Sequence, residues 1–243
     1  MLDISNAIIL TSEGNSIELK IVDVFIEEIE KRTGIRLKKT NSWPENESAI
    51  VITSDAGGST LLEPYNELLE SLERPGKEGY RIVVKRDRQP TVFIVGADPR
   101  GTLYGVGKFL RKLIWKKGSI EIPENLAISS TPQYPLRGHQ LGYRPKTNAY
   151  DAWTVEQYEQ YIRELALFGA NSIEILPPRT DDAPTSPHMK VPPLEMMIKL
   201  SEIIDSYGLD VWIWYPNMFS EQEYRDEACL RREIEDLILQ GQR

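Results

Sequence analysis

Residues 91–105 read TVFIVGADPRGTLYG, an apolar β-branched run that meets a glycine-containing turn and then a helical pattern. The run predicts a buried strand over Thr91–Val95, and the spacing of the apolar residues after the turn predicts a helix over Thr102–Ile114. Tyr80–Lys85 is also β-rich, and the polar segment 86–90 between the two runs predicts a hairpin. A hairpin that leads through a tight turn into a helix is typical of a small α/β domain with a mixed sheet.

The turn itself has two interpretations. Gly96 and Gly101 have the separation found in a phosphate-binding loop, and free N–H groups at a helix start attract anions. The Lys-Ser/Thr pair of such a loop is replaced here by Thr-Leu, and no G-x-G-x-x-G follows. We favour a structural turn, with Gly105 and Gly107 letting the helix lie close to the sheet. A nucleotide-binding α/β protein is the alternative.

The mixed pattern extends outward through the first half of the chain. Strands are predicted at Ala7–Leu10 and Ala49–Thr53, and helices between Ser16 and Gly34 and over Leu61–Leu72. A polar segment with two prolines, residues 129–135, then suits a connection between domains. We therefore predict an accessory α/β domain over residues 1–133 and a second domain over residues 134–243.

The second half alternates strands and helices more regularly. Strands are predicted over Leu136–Leu141, Ser172–Leu176 and Val211–Tyr215, and helices over Thr154–Phe168, Leu194–Tyr207 and Glu221–Leu239. Three consecutive βα units with short αβ turns imply parallel strands. The predicted fold class is α/β, with the mixed-sheet domain followed by the first three βα units of a TIM-type barrel; an open doubly wound sheet begins in the same way.

Composition excludes several classes of function. The net charge of −8 argues against nucleic acid as the main partner, because phosphate binding needs clustered Lys and Arg. The first half carries 18 basic and 19 acidic residues and the second half 11 and 18, so the acidity lies mainly in the second domain. No apolar run has the roughly 20 residues needed to cross a bilayer. The single cysteine, Cys229, cannot form an intramolecular disulfide, and we predict neither a metal site nor a cofactor.

Alternation along the second-half strands orients the candidate site. Because Ile173 and Ile175 suit the helix-facing side, Glu174 should lie on the opposite face of its strand, and Trp212 and Trp214 should point inward too. Arg137 and His139 share a face of the first strand. A buried charge is costly unless it is paired, so we expect Arg137 to pair with Glu174. An ion pair that only braces a barrel is the alternative to a ligand site.

The long loops after the strands supply the other candidates. Residues 142–153 and 177–193 are longer than ordinary βα connections, and loops of that length are usually functional. Carboxylates, Arg, His and aromatic faces suit a polyhydroxylated ligand, whose hydroxyl groups bind polar side chains and whose C–H faces stack on rings. The predicted substrate-binding residues are Arg137, His139, Tyr143, Glu174, Asp181, Asp182, His188 and Trp214.

Several of these segments resemble parts of known glycoside hydrolases. Residues 91–105 look like the end of the accessory α/β domain that precedes the catalytic barrel in β-hexosaminidases, α-glucuronidases and O-GlcNAcases. Tyr134–Gly138 resembles the first barrel strand of these enzymes, and residues 171–175 and 208–214 resemble the second and third strands. The resemblance implies that Arg137 binds sugar hydroxyl groups. The Asp that β-hexosaminidases usually have five residues later is Gly142 here, so an α-glucuronidase-like enzyme or a further branch of these hydrolases fits at least as well as a β-hexosaminidase.

The resemblance also implies an activity and a missing part. We expect the N-terminal part of an enzyme that cleaves glycosidic bonds in a glycan, with acid/base carboxylates beyond residue 243 and its catalytic residues therefore unassigned. A barrel takes about 250 residues, whereas residues 134–243 hold three βα units. The alternative is a non-catalytic carbohydrate-binding or interaction module.

Location is predicted from the N-terminal residues, and assembly from the edges of the predicted barrel. The N-terminal residues show no basic region before their short apolar stretch, so no signal peptide is visible, and we expect a secreted or periplasmic protein only if one was removed. A carbohydrate is the expected ligand, and unpaired barrel edges predict self-association.

Overall fold

The computed structural model describes residues 1–11, 16–55, 61–86, 89–141, 153–175, 191–213, 226–229, 231–232 and 234–235. The strands are β1 (Leu2–Asp3), β2 (Ile8–Leu10), β3 (Lys38–Thr40), β4 (Ala49–Ser54), β5 (Tyr80–Lys85), β6 (Thr91–Gly96), β7 (Ile114–Lys116), β8 (Ser119–Ile122), β9 (Ala127–Ser130), β10 (Gly138–Gln140), β11 (Ser172–Ile175) and β12 (Asp210–Ile213). The helices are α1 (Ser16–Thr33), α2 (Asn66–Glu70), α3 (Pro99–Leu110), α4 (Val155–Leu167) and α5 (Pro193–Ser206).

A six-stranded mixed sheet forms the first half, in the order β3–β2–β4–β6–β5–β9. β3, β2, β4 and β6 are parallel, while β5 is antiparallel to both β6 and β9. Apolar side chains on both faces explain why β4 and β6 are buried along their whole length. The mixed α/β domain and the β5–β6 hairpin predicted from the sequence are therefore confirmed.

The two faces of this sheet are covered very differently. α1 and α3 pack on one face over a large apolar core, which α1 enters through residues such as Ile21, Phe25 and Ile29. The other face has a smaller core beneath α2, and there Tyr65 and Phe93 lie 4.7 Å apart between ring centres. The thinner second layer leaves room for cavities on that face.

Three local predictions needed correction. The helix expected over Leu61–Leu72 is a 3-10 turn at Glu63–Tyr65 followed by the five-residue α2, and the Ser71 hydroxyl donates to the Leu68 carbonyl at its end. α3 begins three residues earlier than predicted, because Asp98 caps it. It ends at Leu110, so the chain is free to form an antiparallel sheet of order β1–β8–β7 that the sequence had not indicated.

The second half forms a parallel sheet of order β10–β11–β12 with α4 and α5 on one face. Thr154 starts α4 with a capping box: its side chain accepts from the Gln157 N–H, and the Gln157 side chain accepts from the Thr154 N–H. Positive φ angles of 103° at Gly169 and 69° at Gly208 end the two helices as expected. Residues 227–229, 231–232 and 234–235 are helical, whereas Asp226 is not, and the other positions of the predicted helix Glu221–Leu239 lie outside the described residues.

One apolar core runs through both halves. It includes Ile94 and Phe109 from the first half and Tyr158, Ile162 and Ile173 from the second, each fully or almost fully buried. The core is continuous across the domain boundary that the sequence suggests near residue 133. Within the described residues, no helix is long and apolar enough to cross a membrane.

Candidate functional site

The parallel sheet has one face covered by helices and one open face. Its register aligns Gln140, Glu174 and Trp212 in one row across the three strands. The neighbouring row contains Ile173, which is fully buried against the helices, so Glu174 and Trp212 lie on the open side. Trp212 is 54% exposed there. The predicted orientation of Glu174 is therefore confirmed.

His139 lies on the opposite face from Glu174. It aligns with Ile173 in the register and points toward α4, where its Nε2 lies 2.9 Å from the Tyr161 hydroxyl. Burial lowers the pKa of His139 below its ordinary value, which favours the neutral ring. A role for His139 in ligand binding stays a prediction.

Arg137 lies just before β10, and its guanidinium reaches into the interface between the two halves. Nε donates to the Gly169 carbonyl at 2.7 Å, and Nη1 donates to the Tyr134 carbonyl at 2.8 Å. Nη2 pairs with Glu78 Oε2 at 2.5 Å. The expected Arg137–Glu174 pair is therefore wrong, because alternation along the strands puts Glu174 on the open face and Arg137 on the side of the first half.

Glu78 is the residue that sequence reasoning missed. It is only 5% exposed and sits at a positive φ of 58°. Besides Arg137, its carboxylate accepts from Arg100 Nη1 at 3.0 Å and from Asn171 Nδ2 at 3.2 Å. Burial raises the pKa of Glu78, but the hydrogen bonds from Arg137 and Arg100 outweigh it, and the pKa lies below its ordinary value. The carboxylate is therefore held ionised.

Arg100 extends the same network to the third strand. Its Nη2 pairs with Asp210 Oδ1 at 2.6 Å, and its Nε donates to the Gly208 carbonyl at 2.6 Å. We call the set Glu78, Arg100, Arg137, Asn171 and Asp210 the junction cluster. Arg137, Asn171 and Asp210 stand at the amino ends of β10, β11 and β12, so the cluster lies at the edge opposite the carboxyl ends where barrels carry their active sites. The sequence contains no motif that marks Glu78. The polar residues at the starts of β11 and β12, Asn171 and Asp210, are the signal from which the cluster could have been predicted.

The glycine turn before α3 forms hydrogen bonds within itself. Asp98 accepts from the Gly101 N–H at 2.8 Å through its side chain and from the Thr102 N–H at 3.0 Å through its carbonyl. A Cβ on Gly96 would lie 2.1 Å from the Thr102 nitrogen, and one on Gly101 would lie 2.1 Å from the Gly79 carbonyl oxygen. This close packing supports the structural turn, because the N–H groups of Gly101 and Thr102 are bonded to Asp98 and are not free to hold a phosphate.

Five of the candidates fall outside the described residues: Tyr143, Asp181, Asp182, His188 and Trp214. Of the eight predicted binding residues, the structure thus describes three: Arg137, His139 and Glu174. Glu174 is not in contact with Arg137 or His139, because it lies on the other face of the sheet. Among the residues that the structure does describe, no group of three His, Cys, Asp or Glu side chains could hold a metal ion.

Comparison with known proteins identifies the family of the first half. Residues 2–129 match the family model described as "Glycosyl hydrolase family 20, domain 2". No curated protein sequence matches the chain significantly.

Solved structures resemble the chain over both of its halves. CpGH84B superposes over 98% of this chain and 39% of its own, with a TM-score of 0.61 and 17% identity. The GH20 β-N-acetylhexosaminidase from Streptomyces coelicolor superposes over 87% of this chain and 42% of its own, with a TM-score of 0.61 and 15% identity. The GH20 exo-β-N-acetylglucosaminidase from Vibrio harveyi, in complex with N-acetylglucosamine, superposes over 86% and 32%, with a TM-score of 0.57 and 15% identity. At these identities the likeness shows the fold, and the chain spans less than half the length of each structure.

Proposed function

Because the chain belongs to the family described as glycosyl hydrolase family 20, domain 2, we propose that it is the N-terminal part of an enzyme that cleaves glycosidic bonds in a glycan. The observation that carries the proposal is the order of its parts: the family domain is followed by three parallel strands joined through α4 and α5, and both halves superpose on the GH20 structure. In this proposal the three strands begin a catalytic barrel, and the residues of the open face line its interior.

The open face supports a carbohydrate as the ligand. Glu174 offers a hydroxyl acceptor, Gln140 offers both a donor and an acceptor, and Trp212 offers a broad exposed ring in the same row. Sugars present hydroxyl groups to polar side chains and C–H faces to aromatic rings. The proposal also includes Tyr143, Asp181, Asp182 and His188 from the two long predicted loops, and Trp214 from the third predicted strand.

We assign no catalytic acid or base within residues 1–243. Glycosidases commonly place two carboxylates on either side of the scissile bond, and Glu174 is a carboxylate on the open face of the sheet. In the proposal Glu174 binds substrate, and the carboxylates that transfer protons stand on later barrel strands.

A glycoside panel tests the proposal on the protein that carries this chain at its natural length. The substrates are 4-nitrophenyl N-acetyl-β-glucosaminide, β-glucoside, α-glucuronide and β-galactoside, with release of 4-nitrophenol as the readout. We expect hydrolysis of at least one of them and, in Glu174→Gln, a rise in KM that exceeds the fall in kcat. Glu121→Gln, on the distant antiparallel sheet, is the matched control. Inactivity of the folded protein on every glycoside of a wider panel would contradict the proposal.

A further inference from the structure

The first half contains a cavity that the proposed barrel site does not use. It measures about 490 Å³ and lies on the thinly covered face of the six-stranded sheet, under α2; its lining includes Asp55, Asn66, Glu70, Arg74 and Arg81. Pockets that hold small molecules commonly measure about 300–1,000 Å³. A second cavity of about 280 Å³ shares Asp55, Arg74 and Arg81 with the first and continues to Gly96 and Asp98.

The sheet topology places these cavities where α/β proteins bind ligands. Asp55 directly follows β4 and Ala97 directly follows β6, so both stand at the carboxyl edge of parallel strands. β5 runs the other way, and its pairing of Arg81 with Val95 brings Arg81 to the same edge. The cavities therefore open at the carboxyl end of β4 and β6, beside a side chain from the start of β5.

Arg81 is a buried cation whose guanidinium has more N–H groups than hydrogen-bond partners. Its side chain is only 7% exposed. Nη2 donates to Asp55 Oδ2 at 3.1 Å, and Nη1 donates to the Leu69 carbonyl at 3.1 Å. Each Nη carries two N–H groups, so one on each nitrogen remains for a ligand that accepts hydrogen bonds. Nε has no partner among the described residues, but it is shielded from the cavity, so the two Nη atoms carry the proposed contact.

The balance of charge around the cavities selects the class of ligand. Three cations, Arg74, Lys77 and Arg81, face four carboxylates, which belong to Asp55, Glu70, Glu73 and Asp98. An anion would meet more carboxylates than cations. A hydroxyl group both donates and accepts, so a vicinal diol can accept from Arg81 and donate to Asp55.

We propose that this cavity, lined by the Arg81–Asp55 pair at the carboxyl edge of β4 and β6, binds a neutral hydroxyl-rich ligand such as a sugar unit. The site is separate from the open face of the parallel sheet. It would give the first half a binding function of its own, whether or not the barrel site acts as proposed above.

Nuclear magnetic resonance of the full chain tests the proposal. The arginine Nε–H signals are followed during titration with N-acetylglucosamine, with methyl β-D-glucopyranoside and, separately, with inorganic phosphate. We expect a saturable shift of the Arg81 signal with at least one sugar and none with phosphate. Loss of one signal in Arg81→Lys assigns that signal. Arg86→Lys, at the far end of β5 and paired with Glu124, is the matched control and should bind sugar normally.

A second variant protects the test against a misfolded Arg81→Lys. Glu70 is exposed on the cavity wall and is not a partner of Arg81, so Glu70→Trp blocks the cavity without disturbing the buried guanidinium. Sugar affinity should fall by about tenfold or more in Glu70→Trp, with an unchanged circular dichroism spectrum. The absence of a saturable sugar shift in the parent chain, unchanged affinity in Glu70→Trp, or tighter binding of phosphate than of either sugar would each overturn the proposal.

Discussion

At the scale of single residues, Glu78 connects the two halves of the molecule. Its carboxylate binds Arg100 and Arg137, which lie on either side of the interface. Removal of one partner from a buried ion pair leaves the other charges uncompensated. We expect Glu78→Gln to lower the free energy of unfolding by about 3 kcal/mol, measured by urea denaturation. Glu227→Gln, which breaks an exposed pair with Arg231, should change it by less than about 0.5 kcal/mol.

The same carboxylate predicts a pH dependence. The pKa of Glu78 in the folded protein lies below its ordinary value of 4.5, so the unfolded chain takes up the proton first as the pH falls. The stabilisation from ionised Glu78 is complete above pH 4.5 and is lost as the pH falls through the lower, folded value. The difference in unfolding free energy between the parent chain and Glu78→Gln should therefore shrink below pH 4.5 in a urea series. A constant difference across the series would show that the ionised form has no special role.

At the candidate site, the orientation of Glu174 could be predicted from the sequence, but the partner of Arg137 could not. Alternation along β11 was enough to orient Glu174, because one buried face imposes a period of two. The partner of Arg137 could not be found in this way. Glu78 lies 59 positions away, and only the packing of the two halves brings them together.

At the scale of elements, two glycines of α3 set how closely it packs. A Cβ on Gly107 would lie 1.9 Å from the Leu167 carbonyl oxygen of α4, whereas one on Gly105 would lie 3.0 Å from the Ile94 side chain in the sheet. The predicted approach to the sheet thus holds for Gly105, while Gly107 allows contact with α4 instead.

This difference predicts unequal effects of the same substitution. Alanine is favoured over glycine inside a helix by up to about 1 kcal/mol, which offsets mild crowding but not a clash with backbone. We expect Gly107→Ala to destabilise the protein by about 3 kcal/mol and Gly105→Ala by less than about 1 kcal/mol. Thermal unfolding of the two variants side by side measures this, and an equal loss in both would disprove the close α3–α4 contact.

The start of α4 provides a second test at this scale. The Thr154 hydroxyl accepts from the Gln157 N–H, so Thr154→Ala should lower the free energy of unfolding by about 1 kcal/mol. Thr154→Ser keeps the hydroxyl and should keep most of that stability. A full loss in the serine variant would assign the effect to the threonine methyl group.

Most elements could be predicted from the sequence because their signals are local. Caps, helix-ending glycines and β-branched runs mark α1, α4, β5 and β6. The sequence does not predict β1, β7 and β8, because each strand is short. Their pairing also depends on residues that are far apart in the chain, such as Leu2 and Ile122. The helix predicted over Leu61–Leu72 is longer than α2, because the apolar spacing extends beyond the residues that form helical hydrogen bonds.

At the scale of the whole molecule, the shared core predicts one cooperative unit. Since apolar residues of α3 and α4 belong to a single cluster, neither half should unfold alone. Two variants test this, one keeping only Trp43 of the five tryptophans and one keeping only Trp153. Their fluorescence transitions in urea should coincide, and two separated midpoints would show that the halves unfold independently.

The arginines of the interface also have a consequence for biosynthesis. Arg111 donates to the Leu167 carbonyl, Arg137 to the Gly169 carbonyl and Arg100 to the Gly208 carbonyl, all at the ends of α4 and α5. Arg100 and Arg111 are synthesised before either helix. The donors that bind the C-terminal carbonyl groups of α4 and α5 are therefore already in the chain when each helix is made, and each helix can gain these hydrogen bonds as soon as it forms.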